Sequence, residues 1–279
     1  MKELHFTYQM SLAFSEPASR HEYTLKCFPQ SDETQRITGM TIQLEPKNIC
    51  FDQKIRQTRT SSFVSCDSFG NKTLCGTIEQ EHRLFQITVE GTAETELLPG
   101  RKAKEQTLGM YRYGSRYTRQ GTALSGYKAE HVCPGKSPLE TAVFYMHRLY
   151  QDMTYAPGST NVETTAEEAI SLRRGVCQDY AHILIALLRM EHIPARYVVG
   201  MMMGEGASHA WVEVEQDGVW YGVDPTNGRR ADDGYIHISC GRDAYDCPIN
   251  KGVFIGGGTQ KQRVFVYVEE YEKQRNVTI

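Results

Sequence analysis

The chain has 279 residues, 40% of them hydrophobic and 23% charged, with a formal net charge of −3; this is a globular composition, with apolar material for one large or two ordinary domains. The slight acidity argues against nucleic acid or an anionic membrane as the main partner. No apolar run reaches the roughly 18 residues of a spanning helix, and Met1-Lys2-Glu3-Leu4-His5-Phe6 lacks a secretory core, so the expectation is a cytoplasmic protein with no membrane contact.

Residues 1–95 read as all-β. Leu4, Phe6, Tyr8, Met10 and Leu12 alternate with polar neighbours, the period of a half-buried strand. Further strand-like runs are Tyr23 to Phe28, Met40 to Leu44, Ser61 to Cys66, Lys72 to Ile78 and Arg83 to Val89, with turn chemistry in Asp67-Ser68-Phe69-Gly70-Asn71. Short strands separated by turns predict an antiparallel β-sandwich. Residues 96–136 carry scattered glycines and tyrosines and read as a connecting segment on the surface.

From residue 137 the pattern is helical. Ser137-Pro138-Leu139-Glu140 combines a cap, a first-turn proline and a capping-box glutamate, and Leu139, Val143, Met146 and Tyr150 follow at helical spacing. A second helix is expected over Thr165 to Arg173, ended by Gly175. A third starts at Cys177, runs through the apolar stretch Ile183 to Leu188, and stops before Pro194. Strands follow at Arg196 to Met203, Ala210 to Glu215, Val219 to Val223, Gly234 to Ser239 and Arg263 to Glu270, with Gln216-Asp217-Gly218 as a hairpin turn. Helices followed by an antiparallel sheet give an α+β core over 137–279.

Three side chains in this half suit one chemistry. Cys177 opens a buried helix, where the positive end of the macrodipole favours a thiolate and first-turn N–H groups can receive an oxyanion. His209 starts one hairpin strand and Asp224 ends the other, so the two lie at the same end of the pair. Docked against that end, Cys177 would have a base in His209 and an orienting carboxylate in Asp224. Gly204-Glu205-Gly206 reads as a mobile approach loop, and Gly206, Ser208 and Trp211 as candidates to line a cleft. Each feature has a plainer reading: Cys177 as a buried structural thiol, Asp224-Pro225-Thr226-Asn227 as a turn, Asp179 as a helix-dipole partner, His182 as a structural hydrogen bonder, and Met201-Met202-Met203 as strand core.

Gly175-Val176-Cys177-Gln178-Asp179-Tyr180-Ala181, Ser208-His209-Ala210-Trp211-Val212-Glu213-Val214 and Trp220-Tyr221-Gly222-Val223-Asp224-Pro225-Thr226 resemble the three core motifs of the transglutaminase-like superfamily. His5-Phe6-Thr7-Tyr8 and Asp67-Ser68-Phe69-Gly70-Asn71 resemble the β-rich region that precedes this core in bacterial members, and Gly241-Arg242-Asp243 with Gly252-Val253-Phe254 resembles their tail. The resemblance implies a papain-like core with a Cys177-His209-Asp224 triad and acyl transfer through Cys177. Peptide or isopeptide hydrolysis is the simplest outcome, with a peptide or protein as substrate. Glutamine cross-linking, deamidation and a catalytically idle binding module are the alternatives. Better-known members use an upstream tryptophan at the oxyanion, whereas both tryptophans here, Trp211 and Trp220, lie downstream; Gln178 or Tyr155 are the candidate replacements beside the Cys177 N–H.

No cofactor is implied. The eight cysteines contain no Cys-x-x-Cys pair, and no histidine pair has zinc spacing, so no metal site is expected. The cysteines read as reduced thiols, although Cys240 and Cys247 could pair in an exported protein. Tyr111-Arg112-Tyr113 and Arg116-Tyr117 read as a solvated or interdomain face rather than a nucleic-acid platform.

Overall fold

The computed structural model describes residues 1–46, 49–52, 62–135 and 137–271; Ser61, Lys136 and the last eight residues, which the readings above include, lie outside them. The first half supplies β1 (Lys2–Leu25), β2 (Gln35–Glu45), β3 (Ile49–Asp52), β4 (Phe63–Cys66), β5 (Lys72–Ile78) and β6 (His82–Thr95). The alternation at the N-terminus continues far beyond the predicted strand. Leu4, Phe6, Tyr8, Met10, Leu12 and Phe14 are all buried, and β1 continues for 24 residues. Burial of each large apolar side chain contributes roughly 1.5–3 kcal/mol. The Asp67 turn forms as read, with Asp67 Oδ1 accepting from Phe69 N and Asn71 N at 2.9 Å each.

The second half begins with β7 (Arg101–Lys102), α1 (Glu105–Leu108) and α2 (Thr122–Glu130), followed by α3 (Pro138–Asp152), β8 (Thr154–Tyr155), α4 (Ala166–Leu172), β9 (Arg174–Gly175) and α5 (Cys177–Met190). Strands β10 (Ala195–Met202), β11 (Gly204–Gly206), β12 (His209–Gln216), β13 (Val219–Asp224), β14 (Arg229–Arg230), β15 (Tyr235–Gly241), β16 (Asn250–Gly256) and β17 (Gln260–Glu270) complete it. The capping box on α3 forms as predicted, Ser137 Oγ accepting from Glu140 N and Glu140 Oε2 from Ser137 N. Its buried face is Ala142, Tyr145, Met146 and Leu149, while Tyr150 is exposed, so the apolar stripe is rotated from the predicted one. Among the described residues no helix is long and apolar enough to cross a membrane.

Two antiparallel sheets organise the chain. Strands β14-β13-β12-β10-β15 form one, with β7 beside β13. Helix α5 packs on β12 and β10 and against α3 and α4, and Tyr180, Ala181 and Ile183 to Leu188 vanish into this core. The other is a single nine-stranded sheet that curls through β1. The first half of β1 pairs with β6 and β17, and its second half with β5 and β16. The run Arg263 to Glu270, read as part of the core sheet, thus returns to the first sheet, and β16, absent from the sequence reading, goes with it. Nothing in their alternation distinguishes one apolar sheet face from another.

Residues 96–136 do not simply cross the surface. Tyr111, Tyr117, Leu124 and Tyr127 are buried, and β7 pairs with Val219 and Trp220. Arg189 near the end of α5 explains the attachment. Its guanidinium donates to Tyr111 O, Ser115 Oγ, Thr118 Oγ1, Ala195 O and Arg242 O at 2.7–3.0 Å, using all five donor positions of the group. The outer edge of β15 is covered by side chains of the first half. Asn71 Oδ1 accepts from Cys240 N and its Nδ2 donates to Cys240 O, both at 2.8 Å. Gln35 makes the same paired contact with His237 at 2.9 and 2.8 Å. Two amides thus stand in for a neighbouring strand on an edge that would otherwise leave backbone groups unpaired.

Candidate active site

Cys177 is the first residue of α5 and half-buried. The approach to it is held in an unexpected way. Arg173, not Gly175, takes the left-handed conformation that ends α4 (φ 51°). Gly175 pairs instead with Tyr155 in the short parallel ladder of β8 and β9, and an added Cβ there would lie 2.5 Å from Asp179 Oδ2. Glycine is needed for space. The Asp179 carboxylate, packed on Gly175, accepts from Val176 N and Thr160 Oγ1 at 2.7 Å each, so the N-terminus of α5 is tied to the 156–164 loop. Burial raises the Asp179 pKa, and these bonds oppose the rise.

His209 opens β12 and Asp224 closes β13, and the hairpin brings them together as its geometry predicts. His209 Nε2 lies 2.7 Å from Asp224 Oδ2, and the imidazole is close enough to Cys177 for that residue to raise its pKa. With Nε2 taken by the carboxylate, Nδ1 is the nitrogen left for the thiol. Burial pushes the His209 pKa down, but the bond to Asp224, that carboxylate's charge and the nearby Cys177 outweigh it and raise the pKa to about 10.

Asp224 is fully buried and divided between two tasks. Oδ1 accepts from Thr226 N and Asn227 N at 2.9 and 3.2 Å, closing the turn. Oδ2 accepts from His209, from Asn227 Nδ2 and from Tyr235 OH, each at 2.7 Å. The turn reading and the orienting reading of this residue therefore describe two oxygens of one carboxylate. Burial favours its neutral form, and these donors outweigh burial and lower the pKa.

The other predicted positions divide. Trp211 is buried behind the imidazole, with ring centroids 6.3 Å apart and planes 24° apart, and Gly200 opposite leaves room for the indole. Tyr155 is exposed and close enough to Cys177 for the thiol's charge to reinforce the rise that burial causes in its pKa. The Gln178 amide donates to Val162 O at 3.3 Å. Ser208 is half-buried just ahead of His209. Gly204-Glu205-Gly206 is not a free loop: Gly204 turns at φ 115°, and the three residues pair with Val268, Tyr267 and Val266 of β17. Backbone pairing of this kind leaves no trace in side-chain pattern. His182 is structural, as read; it is buried, accepts from Ala244 N at 3.1 Å and stacks on Tyr117. Met201 is core and Met203 exposed. Tyr235 and Arg229, which bear on Asp224, were not singled out from sequence, since a tyrosine in a strand has the pattern of core.

Residues 126–225 match the transglutaminase-like superfamily, and residues 4–94 match the bacterial transglutaminase-like N-terminal region. An uncharacterized protein of Mycobacterium tuberculosis is 36% identical over 228 residues, 68% of this chain and 71% of that one. An uncharacterized protein of Mycobacterium leprae is 25% identical over 289 residues, 96% of this chain and 98% of that one. Among solved structures, a candidate cysteine protease from Cytophaga hutchinsonii is similar with a TM-score of 0.77 at 19% identity, covering 98% of this chain and 91% of that one, a likeness of fold.

Proposed function

Because the chain belongs to the transglutaminase-like superfamily, we propose that it is a thiol-dependent acyl-transfer enzyme acting on amide bonds, most simply a peptidase or isopeptidase. The observation that carries this reading is the His209 imidazole, bonded on one nitrogen to a buried carboxylate and set close enough to Cys177 for that residue to raise its pKa. In this reading His209 Nδ1 takes the Cys177 proton and the sulfur attacks the amide carbonyl carbon. The oxyanion forms near the Cys177 and Gln178 N–H groups that open α5, since Asp179 N already donates to Val176 O at 2.9 Å. Collapse breaks the C–N bond, and the imidazolium gives its proton to the leaving amine, leaving a thioester on Cys177. Water attacks that thioester while His209 takes its proton; the thiol and a carboxylic acid are released. Asp224 holds the ring throughout. An amine in place of water would give cross-linking by the same steps. We read the helices-on-sheet half as a papain-like core and the curled first sheet as a supporting β-sandwich.

The test is iodoacetamide labelling near neutral pH with mass mapping. Labelling of Cys177 ahead of the other cysteines, lost in His209→Ala, is the expected result; uniform labelling would favour an idle binding module. A library of peptides and glutamine donors, scored for cleavage, ammonia release and amine incorporation, then separates peptidase, deamidase and cross-linker.

A further inference from the structure

Three donors converge on Asp224 Oδ2 at 2.7 Å: His209 Nε2, Asn227 Nδ2 and Tyr235 OH. A carboxylate oxygen offers about two lone-pair directions, so each short donor weakens what the oxygen gives the others. Tyr235 is backed by charge. Its hydroxyl accepts from Arg229 Nε at 3.1 Å, and the guanidinium carbon lies 5.3 Å from the ring centroid. We propose that Tyr235, supported by Arg229, is a positioning residue that limits how firmly Asp224 holds the imidazole proton, so that His209 can release it to a leaving amine.

The proposal rests on the acyl-transfer reading above and adds a constraint to it. A general acid works best when its pKa is near the working pH. Burial alone would lower the His209 pKa, yet its partners raise it to about 10; a stronger pull from Asp224 would trap the proton further. Tyr235 draws on the same oxygen. Its phenol pKa is raised by burial and then by the Asp224 charge, so it remains a donor across the working range. The other charged or titratable groups bearing on this cluster are Cys177, on the imidazole, and Asp232, which acts on Arg229. Trp211 packs edge-on against Tyr235, 5.3 Å between centroids, and fixes the ring without adding charge.

The experiment is a titration of 15N-histidine-labelled full-length protein, following His209 by NMR. Tyr235→Phe removes only the hydroxyl, and its His209 midpoint should rise by about 0.5–1 pH unit. Arg229→Gln should rise by less, and Arg229→Lys, which keeps the charge, should stay at the parent value. The double variant Tyr235→Phe/Arg229→Gln should rise at least as far as Tyr235→Phe, because the Arg229 charge also acts directly on Asp224. An unmoved or lowered midpoint in folded Tyr235→Phe overturns the proposal. If that variant does not fold, exposed Arg229 carries the same test. Iodoacetamide labelling of the parent separates the two ideas: uniform labelling removes the acyl-transfer reading, while the midpoint still decides the role of Tyr235.

Discussion

Asp224→Asn changes almost no volume and removes one charge, so its effect can be worked out from the hydrogen bonds. Five donors reach the carboxylate, three on Oδ2 and two on Oδ1. An amide has one oxygen. If that oxygen keeps the turn, its NH2 faces three donors; if it turns round, its NH2 faces two backbone N–H groups. A buried group left without its bond costs about 1–3 kcal/mol, so a total loss of roughly 2–4 kcal/mol is expected. The second effect is electrostatic. His209 rises from 6.5 to about 10; at about 1.36 kcal/mol per unit this is worth roughly 4–5 kcal/mol, shared between Asp224 and Cys177. In the variant the imidazole midpoint should fall below about 8, read by the same histidine NMR. The sign for stability follows. A raised histidine pKa contributes fully below 6.5 and is lost as pH climbs towards 10. Urea midpoints of the parent should therefore decline across that window, and those of the variant much less. The lowered Asp224 pKa acts at the other end: its contribution is present above 3.8 and lost as pH falls through the folded value. An imidazole that still titrates near 10 in Asp224→Asn would refute the reasoning.

Arg189→Met leaves the five acceptors of that guanidinium without their donor and should cost about 3–5 kcal/mol in urea unfolding; a loss under about 1 kcal/mol would show that the segment 111–118 is held by something else. His21 is buried, hydrogen-bonded to His82 at 3.1 Å, and lowered to about 4 by burial and then by His82. Its unfolded form binds a proton that the folded form refuses, so stability should fall by about 3 kcal/mol between pH 6.5 and 4, a slope that His21→Phe should flatten. Gly200→Ala would place a Cβ 2.2 Å from Ile236 O and 2.4 Å from the Trp211 ring, and should cost about 1–3 kcal/mol with a changed near-ultraviolet tryptophan signal; an unchanged melting temperature would show that the indole is not held against β10.

The legible parts of this protein are those whose information is local. The Ser137 capping box, the apolar run of α5 and the alternation of Leu4 to Phe14 each state their structure within a few residues. The Cys177, His209 and Asp224 pieces were found for a related reason: a helix start and a hairpin bring them to one end of the sheet, whatever the rest of the fold does. What escaped is non-local. The alternation of β17 says that one face is buried, not which sheet it joins, and β11 joins through backbone alone. The tyrosines of 111–127 conceal burial because their spacing follows no helix or strand period, while Arg189, seventy residues on, is what fixes their segment. Tyr235 acts on Asp224 through a contact that only the register of β15 creates.

Strand β17 flanks β1 from Leu4 to Phe14, so β1 leaves the ribosome about 250 residues ahead of the strand it is matched to. At translation rates of roughly 5–20 residues per second, β1 waits on the order of 10–50 s for that neighbour. During this interval a long apolar ribbon has one unzipped flank, the condition under which nascent chains pair with each other. A fragment ending before residue 260 would keep that flank permanently, and should precipitate even though it retains Cys177, His209 and Asp224.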